Sequence, residues 1–415
     1  NRPVRTRMPG GVAGVQPIMA APYADGRYCM ARGLCFHLWC GGVLFGMLQM
    51  SVGRAQASDA PADNAHARWQ VSAWTDEQSV SDGLPVLALD RADWYRGLSG
   101  VASPHRAQRQ LQGGLEATHP TGWRLGVLAR SFAYVQATED AVALAALIAQ
   151  KVDPAVGVVA HVAAMSWGWN GTGLSLGSPW IPLMQTGQWR WRADAQWLRL
   201  RKARQNQLEG QIAYQGGAYD VHVNADRWGN QITGPFLSPS DPTGWGGSLS
   251  LALEGEPMPH WYLGIRAHDI LSRLHWWSLA RETSLINSQV TTRNPDGSLN
   301  YAALVNGQQS LEVWQKNMDV RWQLDVRRTI QGERGELGAL TWRSTSWAGL
   351  DQHWLGWASP VGGRGVAWLV AVEPQRRVLS GGLHWRGLTL GLATDGKSTS
   401  HTQYRSWSLR WDVPL

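Results

Sequence analysis

Cysteine is almost missing from this chain. Three occur in 415 residues, at Cys29, Cys35 and Cys40, and none follows. Whatever folds beyond them takes no stability from disulfides and must close on itself in another way. Long apolar runs are also missing. After residue 57 the longest is Ala141–Ala149, where a spanning helix needs about 20 consecutive apolar residues, so a helical membrane protein is excluded. No Gly-x-Ser-x-Gly surrounds any serine, and His161, His222, His275, His384 and His401 are scattered without paired metal-ligand spacing. Gly362-Gly363-Arg364-Gly365 reads as a hairpin turn rather than a phosphate cradle.

The charge is less basic than it first looks. The formal net charge is +7, but residues 1–57 hold six arginines against one acid, Asp25, leaving +7 − (6 − 1) = +2 for the rest. That balance gives no reason to expect a nucleic-acid partner. Residues 30–57 have the shape of a secretory signal peptide: Met30, a positive Arg32, a largely apolar Leu34–Val52, and Ala55-Gln56-Ala57 as a small-x-small cleavage site. His37, Gln49 and several glycines make the stretch a poor permanent anchor. Residues 1–29 then read as an upstream over-extension and 58–415 as a single domain. That domain keeps 26 − 1 = 25 tryptophans, since only Trp39 is lost, and indoles concentrate where an apolar medium meets water.

What is abundant is two-residue alternation. Trp189, Trp191, Ala193, Ala195 and Trp197 alternate with Arg190, Arg192, Asp194 and Gln196. Met318, Val320, Trp322, Leu324 and Val326 alternate with Asp319, Arg321, Gln323, Asp325 and Arg327, and Tyr219–Asp226 repeats the theme. Each is a strand with one apolar and one polar face. A soluble β-sandwich also alternates, but here charge recurs on one face of strand after strand, opposite a Trp-rich one. Candidate strands include 158–168, 172–180, 188–200, 207–215, 260–270, 316–328 and 353–359, with Asn170-Gly171-Thr172 read as turn chemistry. Thr138–Lys151 is Ala-rich, with Leu144, Leu147, Ile148 and Lys151 at helical spacing, and predicts a short helix packed by one face. Ala280–Gln309 is polar, contains Asn294-Pro295-Asp296-Gly297 and predicts a long connection.

The last thirteen residues, from Gln403, are the most strongly patterned. Trp407, Leu409, Trp411, Val413 and Leu415 alternate with Ser406, Ser408, Arg410, Asp412 and Pro414 up to the carboxylate. With the leader, this resembles the closing strand of Gram-negative outer-membrane barrels, the segment their assembly machinery reads; the family pattern usually ends in Phe, where Leu415 stands. The resemblance implies an all-β fold: a transmembrane antiparallel up-and-down β-barrel of about 14 strands, within about 12 to 16, with one short inserted helix. It also implies residence in the cell outer membrane, with outer-membrane lipids and the barrel-assembly machinery as partners.

The function expected on that basis is a passive channel for small solutes, without enzyme activity, metal or cofactor. Candidate lumen residues are Arg190, Arg192, Asp194, Asp319, Arg321, Asp325 and Arg327, with His384 beside them. Rings of cationic side chains favour anions; the alternative is a set of lumenal salt bridges that fill the interior. Two other functional classes stay open, a structural or assembly/secretion component of the envelope and an enzyme at the barrel rim. For the latter, His268 faces the lumen with Arg266 and Tyr262, while strand alternation would point Asp269 away from it.

Overall fold

The structure is a computed structural model and describes residues 68–415 apart from positions 90, 92, 99–103, 184–187, 217, 231, 233–242, 289–290, 294–298, 302–303, 334, 361–364 and 399–400. The leader, the cysteines, the Asn294–Gly297 turn and Gly362–Arg364 lie outside the described residues. In chain order the strands are β1 (Gln70–Asp82), β2 (His105–Thr118), β3 (Arg124–Ala137), β4 (Val159–Gly177), β5 (Ile181–Pro182) and β6 (Trp189–Tyr214). Then follow β7 (Tyr219–Gly229), β8 (Gly244–Met258), β9 (Trp261–Asn287), β10 (Thr291–Arg293), β11 (Leu299–Tyr301), β12 (Val305–Lys316) and β13 (Arg321–Gly332). The last are β14 (Gly335–Trp347), β15 (Leu350–Ala358), β16 (Val366–Glu373), β17 (Val378–Trp385), β18 (Leu388–Thr394) and β19 (Tyr404–Pro414). One helix, α1 (Glu139–Gln150), joins β3 to β4.

The sheet closes. β19 pairs antiparallel with β1 from Gln70↔Pro414 to Val80↔Tyr404, while the other edge of β1 pairs with β2. Two positions in the wall hold two segments end to end. β7 lies along the upper half of β6 and β8 along its lower half, both antiparallel to it. β12 and β13 share β9 in the same way. Counted so, the wall is a closed antiparallel up-and-down barrel of 14 strands. Closure leaves no sheet edge between β1 and β19, the requirement for backbone polar groups in hydrocarbon. Tight turns such as 119–123, 259–260 and 386–387 gather at the end that carries both termini of the barrel. The longest connections, 83–104, 138–158 and 288–304, gather at the other.

Alternation sorts the side chains. Val127, Leu174, Trp197, Leu271, Trp342 and Trp368 are exposed and share one face of their strands, the outer wall. Gln110, Arg130, Trp167 and Gln352 are buried on the inner face. On β6 the outward apolar positions run from Trp189 to Trp197 and polar ones begin at Arg199. Ten residue steps are about 33 Å along a strand and about 25 Å after tilt, the height of a barrel's lipid-facing band.

Several expectations need correction. The segments 158–168 and 172–180 are one strand, β4, and Asn170-Gly171 marks a register shift inside it rather than a turn. Likewise 188–200 and 207–215 are the single long β6. β9 continues through Asn287 and β12 starts at Val305, so the long connection is shorter than Ala280–Gln309. The predicted strand 316–328 is broken: residues 317–320 lie between β12 and β13, which takes Asp319 off the alternating face. The helix forms where its spacing placed it. Thr138 caps it by accepting from the Ala141 N–H, and Lys151 ends it in the left-handed conformation. Its apolar face, with Leu84, Val86, Leu89 and Trp94 of the β1–β2 connection, packs on Val135, Ala137, Ala160, Val162 and Leu208. Those positions alternate with inward-facing Tyr134 and Gln136, so the cluster sits on the outer wall and does not plug the mouth.

Strands approach tightly at the glycines of β4. A Cβ on Gly173 would lie 1.9 Å from the Trp197 carbonyl oxygen, whereas one on Gly381 would meet nothing within 4 Å. Gly173→Val is expected to abolish the fast-migrating unboiled band in an electrophoretic heat-shift assay, and Gly381→Ala to leave it intact. Equal behaviour of the two variants would contradict the packing described.

Candidate functional site

The inner face divides into two zones. Towards the turn end, charged side chains pair with neighbours along the wall. Arg124 bonds Asp194 and lies 3.7 Å from Glu116. Arg190 binds Glu254 at 2.7 Å, and Tyr262 Oη donates to the other Glu254 oxygen at 2.8 Å. Asp325 takes Arg343 at 2.5 Å and Arg266 at 3.6 Å, while Arg327 reaches Glu336 at 3.5 Å. Arg410 joins Asp412 at 2.9 Å and Ser72 at 3.0 Å. The Arg190 side chain remains 40% exposed, so this zone is a wet, charged vestibule. Trp180, in the β4–β6 connection, covers part of it, its ring 5.2 Å from the Arg190 guanidinium and 4.6 Å from that of Arg192.

Above the vestibule the interior is dry. Arg130 on β3 meets Asp269 on β9 through two parallel hydrogen bonds of 2.8 and 2.5 Å, with side chains 6% and 3% exposed. A fork-to-fork pair of this kind is the strong form of an ion pair. Asp269 reaches inward because β9 bulges there: Leu249 pairs with Leu271 but Leu251 with Ala267, and Asp269 has φ +61°. The alternation argument that sent Asp269 to the outer face therefore fails at this residue. Over the pair lies an inward aromatic cluster of Phe132, Trp167, Trp169, Trp276, Trp314 and Trp347.

The contacts here run from wall to wall. The Phe132 ring on β3 lies 5.2 Å from that of Trp347 on β14, tilted by 46°, six wall positions away. A circular barrel of this strand number is about 28 Å wide, too wide for two aromatic side chains to span, so opposite walls draw together at this level. Gln78 on β1 donates to Gln352 on β15 at 3.2 Å. Nearer the loop end, Arg106 on β2 reaches the Gly349 carbonyl in the β14–β15 turn at 3.0 Å. Arg376, after β16, holds the Ser81 and Asp351 carbonyls at 3.2 and 2.8 Å. The short hairpins of one side thus lean across the mouth and are tied to the taller opposite wall.

Of the lumen candidates, Arg190, Arg192, Asp194, Arg321, Asp325 and Arg327 lie on inward positions of β6 and β13. Arg321 belongs to the dry zone, stacked 5.5 Å from the Trp347 ring, and the others line the vestibule. Asp319 does not join them; its carbonyl accepts from Trp347 Nε1 at 3.2 Å. His384 bonds Thr389 on the inner face at 2.9 Å. Trp407, Leu409, Trp411 and Val413 occupy the outward face of the β1–β19 seam, where Trp407 Nε1 donates to Glu77 at 2.7 Å. Leu415 follows the strand, its N–H on the Trp69 carbonyl. Sequence reasoning missed the Arg130–Asp269 pair and the aromatic layer. The first depends on a bulge, and the second on inward tryptophans that read as lipid-facing.

Among the described residues no group of three or more His, Cys, Asp or Glu is placed to hold a metal ion. Ser398 Oγ lies 3.0 Å from His401 Nδ1, but the contact closes a local turn whose backbone bond joins the same two residues.

No protein-family model matches the chain, and no curated protein does. Among solved structures it is similar to the TodX deltaS2S3 mutant monoaromatic hydrocarbon channel, with TM-score 0.38 and 11% identity over 84% of this chain and 91% of that one. The TodX deltaS2 mutant gives 0.34 and 10% over 84% and 89%. The strand count above rests on the pairing itself.

Losing one member of the Arg130–Asp269 pair leaves a buried charge without its partner. Arg130→Met is expected to destabilise the barrel by about 3–5 kcal/mol, and Arg130→Met with Asp269→Leu by less than the single change. Denaturant unfolding in lipid vesicles, followed by tryptophan fluorescence, measures both; a double variant weaker than the single one would refute the assignment.

Proposed function

We propose that this protein is an outer-membrane channel for small solutes, held here in a closed conformation. The observation that carries the proposal is the two-zone interior. A charged, partly exposed vestibule opens at the turn end and stops at a dry layer where the Arg130–Asp269 pair and the Phe132–Trp347 contact join strands four and six wall positions apart. A partly exposed vestibule open at one end gives solutes an entry that an interior filled throughout by side chains would not. Among the described residues the closure rests on side-chain contacts and two short turns rather than on a separate folded segment, so a change of rotamers and hairpin tilt would open a path. In the vestibule arginines alternate with carboxylates and each named arginine has an acid beside it. That arrangement favours a weakly selective path over an anion filter.

The export signal and the β19 pattern support placement in the outer membrane, with the outward face of the β1–β19 seam as the surface an assembly machine would read. The wall-to-wall closure favours a second reading, a non-conducting structural barrel.

Planar-bilayer recording separates the two. Phe132→Ala with Trp347→Ala is expected to raise single-channel conductance several-fold over the native protein. Arg190→Ala with Arg192→Ala is expected to move the reversal potential towards cation preference without opening the closure. Silent membranes for native and opened variants alike, with the heat shift preserved, would overturn the channel and leave the structural reading.

A further inference from the structure

The outer wall of β4, β6, β8 and β9 changes character over three adjacent rows of paired residues. The lowest row is apolar: Leu176, Ala195, Leu249 and Leu271. The next holds Leu174, Trp197, Gly247 and Arg273, and the third Thr172, Arg199, Trp245 and His275. Just above, the register shift in β6 puts Lys202 opposite Asn170 and Leu200 opposite Gly171, with Arg201 as the extra residue between them. A bulge re-aims side chains, and this one sends Arg201 to the same outer side as its neighbour Lys202. Arg199, Arg201, Lys202 and Arg273 are all exposed. The side chains of Arg199 and Arg201 have no hydrogen-bond or ion-pair partner among the described residues, and the outward positions paired with these four cations carry no carboxylate.

Here, resting on the membrane-barrel reading above, we infer that this patch binds the phosphorylated headgroup of a lipid in the loop-side leaflet. Three features support it. The cations stand directly over the apolar band, at the height where a lipid's phosphates meet its chains, and Trp197, Trp245 and Trp277 frame them as an interfacial aromatic belt. The guanidinium groups are planar forks suited to phosphate oxygens. Arg199 on β6 and Arg273 on β9 stand two strand spacings apart across the wall and one row apart along it, about 12 Å in all, a separation that fits two phosphates on one headgroup or two neighbouring lipids. Between them Gly247 leaves a notch, where an added Cβ would meet nothing nearer than 3.8 Å. Leu174 and Leu271, 50% and 68% exposed, offer the wall below to acyl chains.

The test uses the full barrel in detergent with bis-phosphorylated lipid A as the probe, its dephosphorylated form as the control, and native mass spectrometry as the readout. Native protein is expected to retain lipid A at least ten-fold better than the dephosphorylated form. Arg199→Gln with Arg201→Gln and Arg273→Gln should remove most of that difference, and Gly247→Trp, which fills the notch without touching a charge, should reduce it. Flotation with vesicles and the heat-shifted band, run on every variant, report insertion and folding separately. Equal retention of the two lipids by the native protein, or retention unchanged in folded, floating variants, overturns the headgroup site and leaves the barrel reading standing. A native chain that does not float overturns both.

Discussion

Everything in this molecule depends on the antiparallel seam between β1 and β19. In the membrane proposed above no water is present to pair a free N–H or C=O, and each unpaired group costs several kcal/mol. A sheet with open edges would fail that condition along two whole strands. The seam removes both edges by pairing Gln70–Val80 with Tyr404–Pro414. The barrel therefore holds together as a ring, in which a wall strand is as necessary as its neighbours.

Closure fixes the periodicity, and the periodicity fixes what each side chain faces. The outer wall carries exposed Leu, Val and Trp over a height suited to lipid, then turns polar within two rows. The inner wall has a freedom the outer wall lacks, since it meets either water or other side chains. This chain uses both options: paired charges near the turn end, and above them a layer of indoles around one buried ion pair. The second option narrows the barrel, because side chains of limited reach touch only when opposite walls approach. Tight glycine contacts, such as that of Gly173 with the carbonyl of Trp197, let strands of the wall come close.

Interruptions in the strands give the molecule its particular features. The bulge at Asp269 turns a residue that strict alternation would point outward into the partner of Arg130. The bulge at Arg201 places two consecutive cations on the outer wall. Residues 317–320 divide one wall position into β12 and β13, and the same break takes Asp319 out of the inner row. Each departs from strict alternation, and at each the side chain lies where a regular strand would not put it.

The sequence alone determined the class of fold. Alternation is a local property, set by the geometry of an extended backbone, so Trp189–Trp197, Arg321–Arg327 and Trp407–Val413 declared their faces without any partner. The α1 helix was legible from its own local spacing, and the structure adds its cap at Thr138. The inward aspects of Arg190, Arg192, Asp194, Arg321, Asp325 and Arg327 followed directly. Tertiary structure alone decided which inward residues meet. Phe132 and Trp347 are far apart in the chain and six positions apart in the wall, and their contact depends on how flat the ring becomes. Whether a tryptophan faces lipid or fills the lumen depends on its parity relative to a bulge, which a run of residues does not reveal. Local pattern determines faces; closure of the ring, and the register shifts it requires, determine neighbours.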